Sequence, residues 1–210
     1  MLFKICGLKK EDSVLCCEEH KVDLFGMIFY KNSPRNINFK EAKNLTLLSK
    51  KLNIKPVGVF VNHNIDNLKI IISSLDLKFI QLHGEENQSY INEIKKEFQL
   101  KIIKKISIQS ENDLKLIRAF KNIDYLLFDY KPETNELPGG NAKTFDWNLL
   151  NGQKIDVPWF LSGGVNEENI KKIQKLINPH GIDLSSGVEE SPGIKSKQKI
   201  KNLFKTFYEN

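Results

Sequence analysis

The chain has few cysteines and no long hydrophobic run. Its three cysteines are Cys6, Cys16 and Cys17, an odd number without Cys-x-x-Cys spacing, which argues against a disulfide framework and a structural zinc site. Charged residues interrupt every apolar stretch, so no transmembrane helix is expected. The apolar segment near the N-terminus is too short for a secretory signal. These features predict a cytoplasmic protein with no metal centre and no membrane partner.

The chain also lacks a concentrated positive stripe, although its formal net charge is +6 and its pI is about 9.0. The lysines are spread along the sequence and alternate with acidic residues, as in residues 93–97, which is typical of solvated helix faces. Nucleic-acid binding requires basic residues clustered on one face. We therefore expect no nucleic-acid partner, and the small positive excess favours an anionic substrate.

Short apolar runs rich in β-branched residues alternate with longer amphipathic stretches along the whole chain. The predicted strands are 2–6, 24–29, 56–61, 79–82, 102–106, 125–129, 157–161 and 181–184. The predicted helices are 9–20, 39–52, 65–75, 88–98, 111–120, 145–150, 166–177 and 194–207. Strands that alternate with helices form a parallel sheet, and eight such units favour a single (β/α)8 barrel domain over residues 1–210. An open doubly wound sheet is the alternative, but Cys6-Gly7-Leu8 lacks the glycine pattern of a dinucleotide site.

Small residues follow the seventh and eighth predicted strands, at the end of a barrel where chemistry takes place. Such residues leave backbone N–H groups free to close around an anion, and helix N-termini add positive potential. The predicted phosphate-binding residues are Gly163, Gly164, Ser185, Ser186 and Gly187. The glycines after the seventh strand, or the small residues after the eighth, would alone indicate only a turn. Together, in consecutive units, they predict a phosphate site. Residues 131–144 form a long predicted loop, and such loops are usually functional or mobile.

Two predicted strand ends carry a complementary acid and base. Asp129 ends an apolar strand, where a partly desolvated carboxyl would suit a general acid, although aspartate there also commonly caps a turn. Cys6 ends the first strand. An isolated cysteine is usually a small core residue, and as a base it would need nearby positive charge to lower its pKa. An acid and a base facing each other across a phosphate-anchored substrate suit an isomerase that moves a proton between carbons.

Other residues at the predicted mouth are candidates for substrate binding. Arg35 lies on a loop after Pro34, where its guanidinium could recognise a planar carboxylate. Asp183 is expected to accept hydrogen bonds from backbone amides, or from a sugar or an amine of the substrate. Gln81 is expected to contact the substrate from the fourth strand, and His83 is interpreted as a packing residue rather than a catalytic one.

Seven motifs, in order between residues 4 and 193, resemble those of phosphoribosylanthranilate isomerase. They are Lys4-Ile5-Cys6-Gly7, Ser33-Pro34-Arg35, Gln81-Leu82-His83-Gly84, Leu127-Phe128-Asp129, Gly139-Gly140 with Lys143-Thr144-Phe145-Asp146-Trp147, Leu161-Ser162-Gly163-Gly164 and Asp183-Leu184-Ser185-Ser186-Gly187-Val188-Glu189. The resemblance implies a (β/α)8 barrel of tryptophan biosynthesis. It also implies an Amadori rearrangement of an aminoaldose to an aminoketose, with no cofactor.

The same resemblance implies roles for individual residues. Asp129 would protonate the furanose ring oxygen and open the ring to a Schiff base. Cys6 would then remove the proton from C2 of the sugar, giving an enolamine that tautomerises to the ketone. Arg35 would hold the anthranilate carboxylate, Asp183 would steady the substrate near the sugar, and the glycine and serine turns would hold the phosphate.

One segment departs from the family pattern. After Gly139-Gly140 the family usually has a small hydroxyl residue and another glycine, where this chain has Asn141 and Ala142. Losing a glycine restricts the backbone angles. We therefore expect slower or altered closure of this loop, with the acid and the base unaffected.

Two other functions compete with this interpretation. A related barrel isomerase of the histidine pathway would carry paired aspartates on strands one and six, and Cys6 at the first position argues against it. A phosphate-binding barrel without catalysis would not need both Cys6 and Asp129. The assembly is expected to be a monomer or a homodimer.

Overall fold

A computed structural model describes residues 1–209 and shows a closed barrel of eight parallel strands. The strands are β1 (Leu2–Cys6), β2 (Leu24–Phe29), β3 (Lys55–Phe60), β4 (Phe79–Leu82), β5 (Lys101–Ile108), β6 (Tyr125–Tyr130), β7 (Trp159–Leu161) and β8 (Gly181–Leu184). Strand β1 pairs in parallel with both β2 and β8, so the sheet has no edge. The predicted barrel is confirmed, and the open sheet is excluded.

Helices cover the outside of the barrel. The α-helices of the described chain are α1 (Glu11–Glu19), α2 (Phe39–Ser49), α3 (Ile65–Leu75), α4 (Gln88–Glu97), α5 (Ile170–Leu176) and α6 (Lys197–Tyr208). Local chemistry fixes several of their starts. Asn38 and Glu41 form a capping box at α2, and the Asn87 side chain accepts a hydrogen bond from the backbone N–H of Tyr90 at α4. Both interactions satisfy N–H groups that a helix start leaves without a partner.

Two predicted helices are 3₁₀ segments instead. Residues Glu111–Arg118 and Trp147–Leu150 adopt this tighter geometry. Over two turns, the apolar pair Leu114 and Ile117 fits a period of 3.0 residues as well as 3.6, so the sequence pattern did not distinguish them. The segment at Trp147–Leu150 is also too short for an α-helix to nucleate. Both predictions of an α-helix were wrong in type but right in position.

The last two units differ more from the prediction. In the seventh, the Asn166 side chain accepts hydrogen bonds from the N–H groups of Glu168 and Asn169, as expected of a capping residue, but α5 starts only at Ile170. In the eighth, the predicted helix over 194–207 begins at Lys197. The residues before it form an antiparallel hairpin of β9 (Glu189–Ser191) and β10 (Ile194–Lys195). Pro192 and Gly193, which has a φ of +87°, make the turn, and this Pro-Gly turn signal was missed.

The core has two layers. A small cluster of apolar side chains fills the barrel interior, and a larger cluster packs between the strands and the helices. The interior cluster includes Cys6, Leu127 and Phe160. Because strand residues alternate between faces, the inward face continues from Cys6 to Lys4 and from Leu127 to Asp129. Charged side chains thus enter the barrel at the positions that an apolar interior would otherwise fill.

Candidate active site

A cavity opens at the carboxyl ends of the barrel strands. Five predicted residues line it together, from four different strands and one loop: Cys6, Arg35, Gln81, Asp129 and Asp183. The cavity volume is about 60 Å³, well below the several hundred Å³ typical of ligand sites. The loop of residues 131–144, called the lid below, covers it through Leu137, Pro138, Gly139 and Gly140. The lid therefore restricts access to the cavity.

A second, smaller cavity adjoins the first on the side of β7 and β8. It is lined by Gly163, Gly164, Ser185 and Ser186, together with the end of the lid. Gly163 and Gly164 have φ values of +84° and +65°, in the region that favours glycine. Among the hydrogen bonds of residues 1–209, neither glycine N–H has an acceptor. Successive N–H groups of this kind in a turn suit the binding of an anion.

Gly187 does not line this cavity in the described chain. It lies in a 3₁₀ turn (Ser186–Val188) behind the cavity. A Cβ built there would clash with the carbonyl oxygen of Val165. Glycine at this position lets the turn after β8 pack against the turn after β7, which supports the cavity from outside.

Cys6 is buried beside a cation. Gly26 on the neighbouring strand leaves room for its sulfur, because a Cβ at Gly26 would lie 2.7 Å from Cys6 Sγ. Lys4, fully buried, donates a hydrogen bond of 2.8 Å from its Nζ to Oδ1 of Asp183. Burial acts to lower the pKa of Lys4, but Asp183 and Cys6 outweigh it and raise that pKa. The ammonium therefore stays charged inside the barrel.

The expected lowering of the Cys6 pKa is not found. Burial raises the pKa of the Cys6 thiol above its ordinary value, and the opposing effects of Lys4 and Lys195 are smaller. Desolvation and the negative charge of Asp183 together disfavour the thiolate more than the neighbouring cations favour it. A nearby positive charge was expected from the sequence without being identified, and the sequence could not show how completely the thiol is enclosed.

Arg35 is held by an ion-pair network that the sequence analysis missed. Its Nε donates to Oε1 of Glu189 at 2.9 Å and its Nη2 donates to Oε2 at 2.7 Å. Lys195 donates to the same Oε1 at 2.6 Å. Glu189 and Lys195 are paired across the β9–β10 hairpin, so the unpredicted hairpin orients Arg35. Burial acts to raise the pKa of Glu189, but Arg35 and Lys195 outweigh it and lower that pKa.

Asp129 lies between its own backbone and a histidine. Its Oδ1 accepts a hydrogen bond of 2.9 Å from the N–H of Tyr130, and its Oδ2 is 3.5 Å from Nε2 of His83. His83 is buried, as the packing interpretation expected, but it also lines the cavity. On its other side, Gln81 Nε2 lies 2.8 Å from His83 Nδ1. The Oε1 atom of Gln81 is buried without a hydrogen-bond partner in the described residues, which suits an acceptor for a substrate group.

Lys105 is another charged residue that the sequence analysis overlooked. It is two residues beyond the inward-facing Ile103 on β5 and is 6% exposed. Burial lowers its pKa, with Asp129 as the largest opposing influence. The signal was available in the sequence, since a lysine at an inward position of a predicted strand is unusual.

Two further observations concern metal binding and membrane-spanning helices. Within residues 1–209, no group of three or more histidine, cysteine, aspartate or glutamate side chains is arranged to hold a metal ion. None of the helices in the same part of the chain has the length and apolarity needed to cross a membrane.

The fold and the cavity together define the class of protein. The protein is a (β/α)8 barrel with a carboxylic acid, a thiol and a phosphate-type turn at the carboxyl ends of its strands. A sequence model of the N-(5'phosphoribosyl)anthranilate (PRA) isomerase family matches residues 3–206. The chain belongs to this family of tryptophan-biosynthesis isomerases.

The alignments with known relatives cover nearly the whole chain. The N-(5'-phosphoribosyl)anthranilate isomerase of Thermoanaerobacter pseudethanolicus is 39% identical over 201 residues, which are 95% of this chain and 94% of the relative. The crystal structure of the Thermotoga maritima enzyme superposes with a TM-score of 0.85 at 31% identity, covering 99% of this chain and 98% of that one. A further crystal structure, of a phosphoribosyl anthranilate isomerase in complex with reduced 1-(o-carboxyphenylamino)-1-deoxyribulose 5-phosphate, has a TM-score of 0.82 at 30% identity, with 99% of this chain and 98% of that one covered.

Proposed function

We propose that this chain converts N-(5-phosphoribosyl)anthranilate to 1-(o-carboxyphenylamino)-1-deoxyribulose 5-phosphate, with Asp129 as the general acid and Cys6 as the general base. One observation carries the assignment of roles. Asp129 and Cys6 line the same cavity, and the turn suited to phosphate adjoins it. A substrate anchored by its phosphate would therefore present its sugar to both groups.

The acid acts first. Protonated Asp129 gives its proton to the furanose ring oxygen, the bond between that oxygen and C1 breaks, and the nitrogen lone pair forms the Schiff base. Asp129 is 5% exposed, so water competes little for its proton. A positioned acid of this kind contributes about 10²–10⁴-fold to a rate.

The base acts second. The Cys6 thiolate removes the proton from C2, and the electrons of that C–H bond move into the Schiff base to give the enolamine, which tautomerises to the ketone. The raised pKa makes the thiolate scarce but more basic once formed, and the buried Lys4 ammonium stabilises it. Basicity towards carbon is the property that this step needs.

The remaining predicted residues bind the substrate in this scheme. Arg35 holds the anthranilate carboxylate from the cavity wall, and Asp183 and the unpartnered Oε1 of Gln81 accept hydrogen bonds from the sugar hydroxyls or the amine. The N–H groups of Gly163 and Gly164, with the turn at Ser185 and Ser186, hold the phosphate, and Gly187 supports that turn from outside. No cofactor takes part in this scheme.

A direct assay tests the proposal. Freshly prepared phosphoribosylanthranilate is incubated with the protein, and the loss of anthranilate-type fluorescence is followed. We expect acceleration over the spontaneous rate, and the absence of acceleration would refute the function. Arg35→Met should mainly raise KM, because it removes a binding group. If Arg35→Met lowered kcat and left KM unchanged, the role of Arg35 in substrate binding would be contradicted.

The proposal extends to partners and location. The substrate is a small phosphorylated molecule, and neither nucleic acid nor a membrane takes part. A base that must remain a free thiol requires a reducing compartment, so we place the protein in the cytoplasm. We propose a monomer or a homodimer, which light scattering coupled to size-exclusion chromatography would distinguish.

A further inference from the structure

The lid touches the barrel at one polar point beside the acid. The carbonyl oxygen of Pro138 is 3.2 Å from Nε2 of His83, and the same nitrogen is 3.5 Å from Oδ2 of Asp129. The next lid residue packs against both groups. A Cβ on Gly139 would lie 2.6 Å from His83 Nε2 and 3.3 Å from Asp129 Oδ2. The lid residue Gly139 is therefore in van der Waals contact with both His83 and Asp129.

The surroundings of His83 fix its tautomer. Pro138 offers a carbonyl and Asp129 a carboxyl, and a backbone carbonyl can only accept, so Nε2 must carry the hydrogen. Burial lowers the pKa of His83, which keeps the ring neutral and leaves Nδ1 as an acceptor. Gln81 satisfies Nδ1 with its Nε2 amide at 2.8 Å. His83 thus has one N–H and two possible acceptors for it.

We propose that His83 is a positioning residue that couples closure of the lid to the hydrogen bonding of the acid, by sharing its single N–H between Pro138 and Asp129. With the lid closed, the N–H donates to the Pro138 carbonyl at the shorter distance. With the lid open, Asp129 is its remaining acceptor. This inference rests on the proposed function of Asp129 as the acid.

The coupling has a chemical consequence. A hydrogen bond fixes the direction of a carboxyl group, so the N–H of His83 holds the Asp129 carboxyl in place while the lid is open. Closing the lid transfers the donor to Pro138 and leaves Oδ2 of Asp129 available to the substrate. The acid is therefore released at the moment when the lid excludes water.

The same contact separates two cavities. His83 and Pro138 line both the active-site cavity and a larger outer cavity of about 610 Å³ between the lid and the ends of β4 and β5. Breaking the contact would join the active site to this outer space. The contact between His83 and Pro138 therefore also controls the access of water from that side.

The test uses two variants of His83 and two measurements. His83→Leu removes the N–H, whereas His83→Gln returns an amide N–H near the position of Nε2. The first measurement is the rate of cleavage after Glu136, within the lid, by a glutamate-specific protease, because slow proteolysis reports the open population. The second is kcat and KM for phosphoribosylanthranilate.

We expect His83→Leu to raise the cleavage rate about five- to tenfold, as the loss of one hydrogen bond implies, and to lower kcat about 10²-fold through misplacement of the acid. His83→Gln should recover most of both. His63→Leu, a histidine loss outside the cavity, should change neither. If His83 had only a structural role, the amide of His83→Gln would not restore the cleavage rate or kcat.

Gly139→Ala tests the same contact from the lid side and leaves His83 intact. Its methyl group should push the lid from the ring and give the same changes, and combining it with His83→Leu should add little to either single change. Unchanged cleavage, unchanged kcat or fully additive effects would overturn the proposal. An inactive wild-type protein would instead refute the proposed function, and the cleavage rates would still decide whether His83 latches the lid.

Discussion

Replacing Glu189 with glutamine should destabilise the fold severely, although the two side chains have nearly the same shape. Glu189 is 5% exposed and is the shared counterion of two buried cations, Arg35 and Lys195. Glutamine would remove the negative charge and turn an NH2 group towards a guanidinium that can only donate. Two cations would then be buried without a counterion.

The magnitude follows from three charge-assisted hydrogen bonds of 2.6–2.9 Å. Breaking a buried ion pair by removing one partner costs about 3–5 kcal/mol. Glutamine keeps one acceptor oxygen, so we expect a loss of about 3 kcal/mol in the free energy of unfolding, or about 6–12 °C in Tm.

Urea unfolding followed by tryptophan fluorescence measures this loss, after refolding has been shown to be reversible. The matched control is Glu190→Gln, the same charge change one residue later on an exposed side chain, which should alter stability by less than about 0.5 kcal/mol. If the two variants were equally stable, the network would be solvated and would not hold Arg35 in place.

Four other perturbations test separate parts of the structure. Gly26→Ala would place a methyl group 2.7 Å from Cys6 Sγ and should abolish most isomerase activity while far-ultraviolet circular dichroism stays unchanged; full activity would contradict the packing of the base. Ala142 has a φ of +57°, so Ala142→Gly should raise stability by about 1 kcal/mol, measured by urea unfolding, and a loss of stability would show that the lid is not strained there. Lys4→Met removes the cation that favours the Cys6 thiolate, and should slow alkylation of Cys6 by iodoacetamide about tenfold at fixed pH, read by peptide mass spectrometry; an unchanged rate would exclude that role. The pKa of Glu189 lies below its ordinary value of 4.5, so its contribution to stability is present above that pH and is lost as the pH falls through the lowered value. Between about pH 5 and pH 3 the wild type should therefore lose more stability than Glu189→Gln, and equal losses would refute the assignment.

The barrel was predictable because its signal is repeated and local. Alternating apolar strands and amphipathic helices recur along the whole chain, and β1, β2, β4 and β8 have the predicted bounds. The errors fall where the local signal is short. The 3₁₀ segments contain too few turns to show a period, and the β9–β10 hairpin contains too few residues to show alternation.

The site was predictable only as a set of positions. Strand ends converge on one mouth, so the sequence order alone indicated that Cys6, Asp129 and Asp183 meet there. The partners of these groups depend on distances across the barrel that no local pattern contains. The enclosure that raises the pKa of Cys6, the Glu189 clamp on Arg35 and the contact of His83 with the lid all arise from residues far apart in sequence.

The central claim is that Asp129 and Cys6 carry out the two proton transfers of the isomerisation. Single-turnover kinetics, with enzyme in excess over phosphoribosylanthranilate, measure this directly because product release does not enter the rate. Asp129→Asn and Cys6→Ser should each slow the loss of substrate fluorescence by at least about 10²-fold, while Asp146→Asn and Cys16→Ser, on the outside of the barrel, keep the wild-type rate. A wild-type rate in either Asp129→Asn or Cys6→Ser would contradict the account.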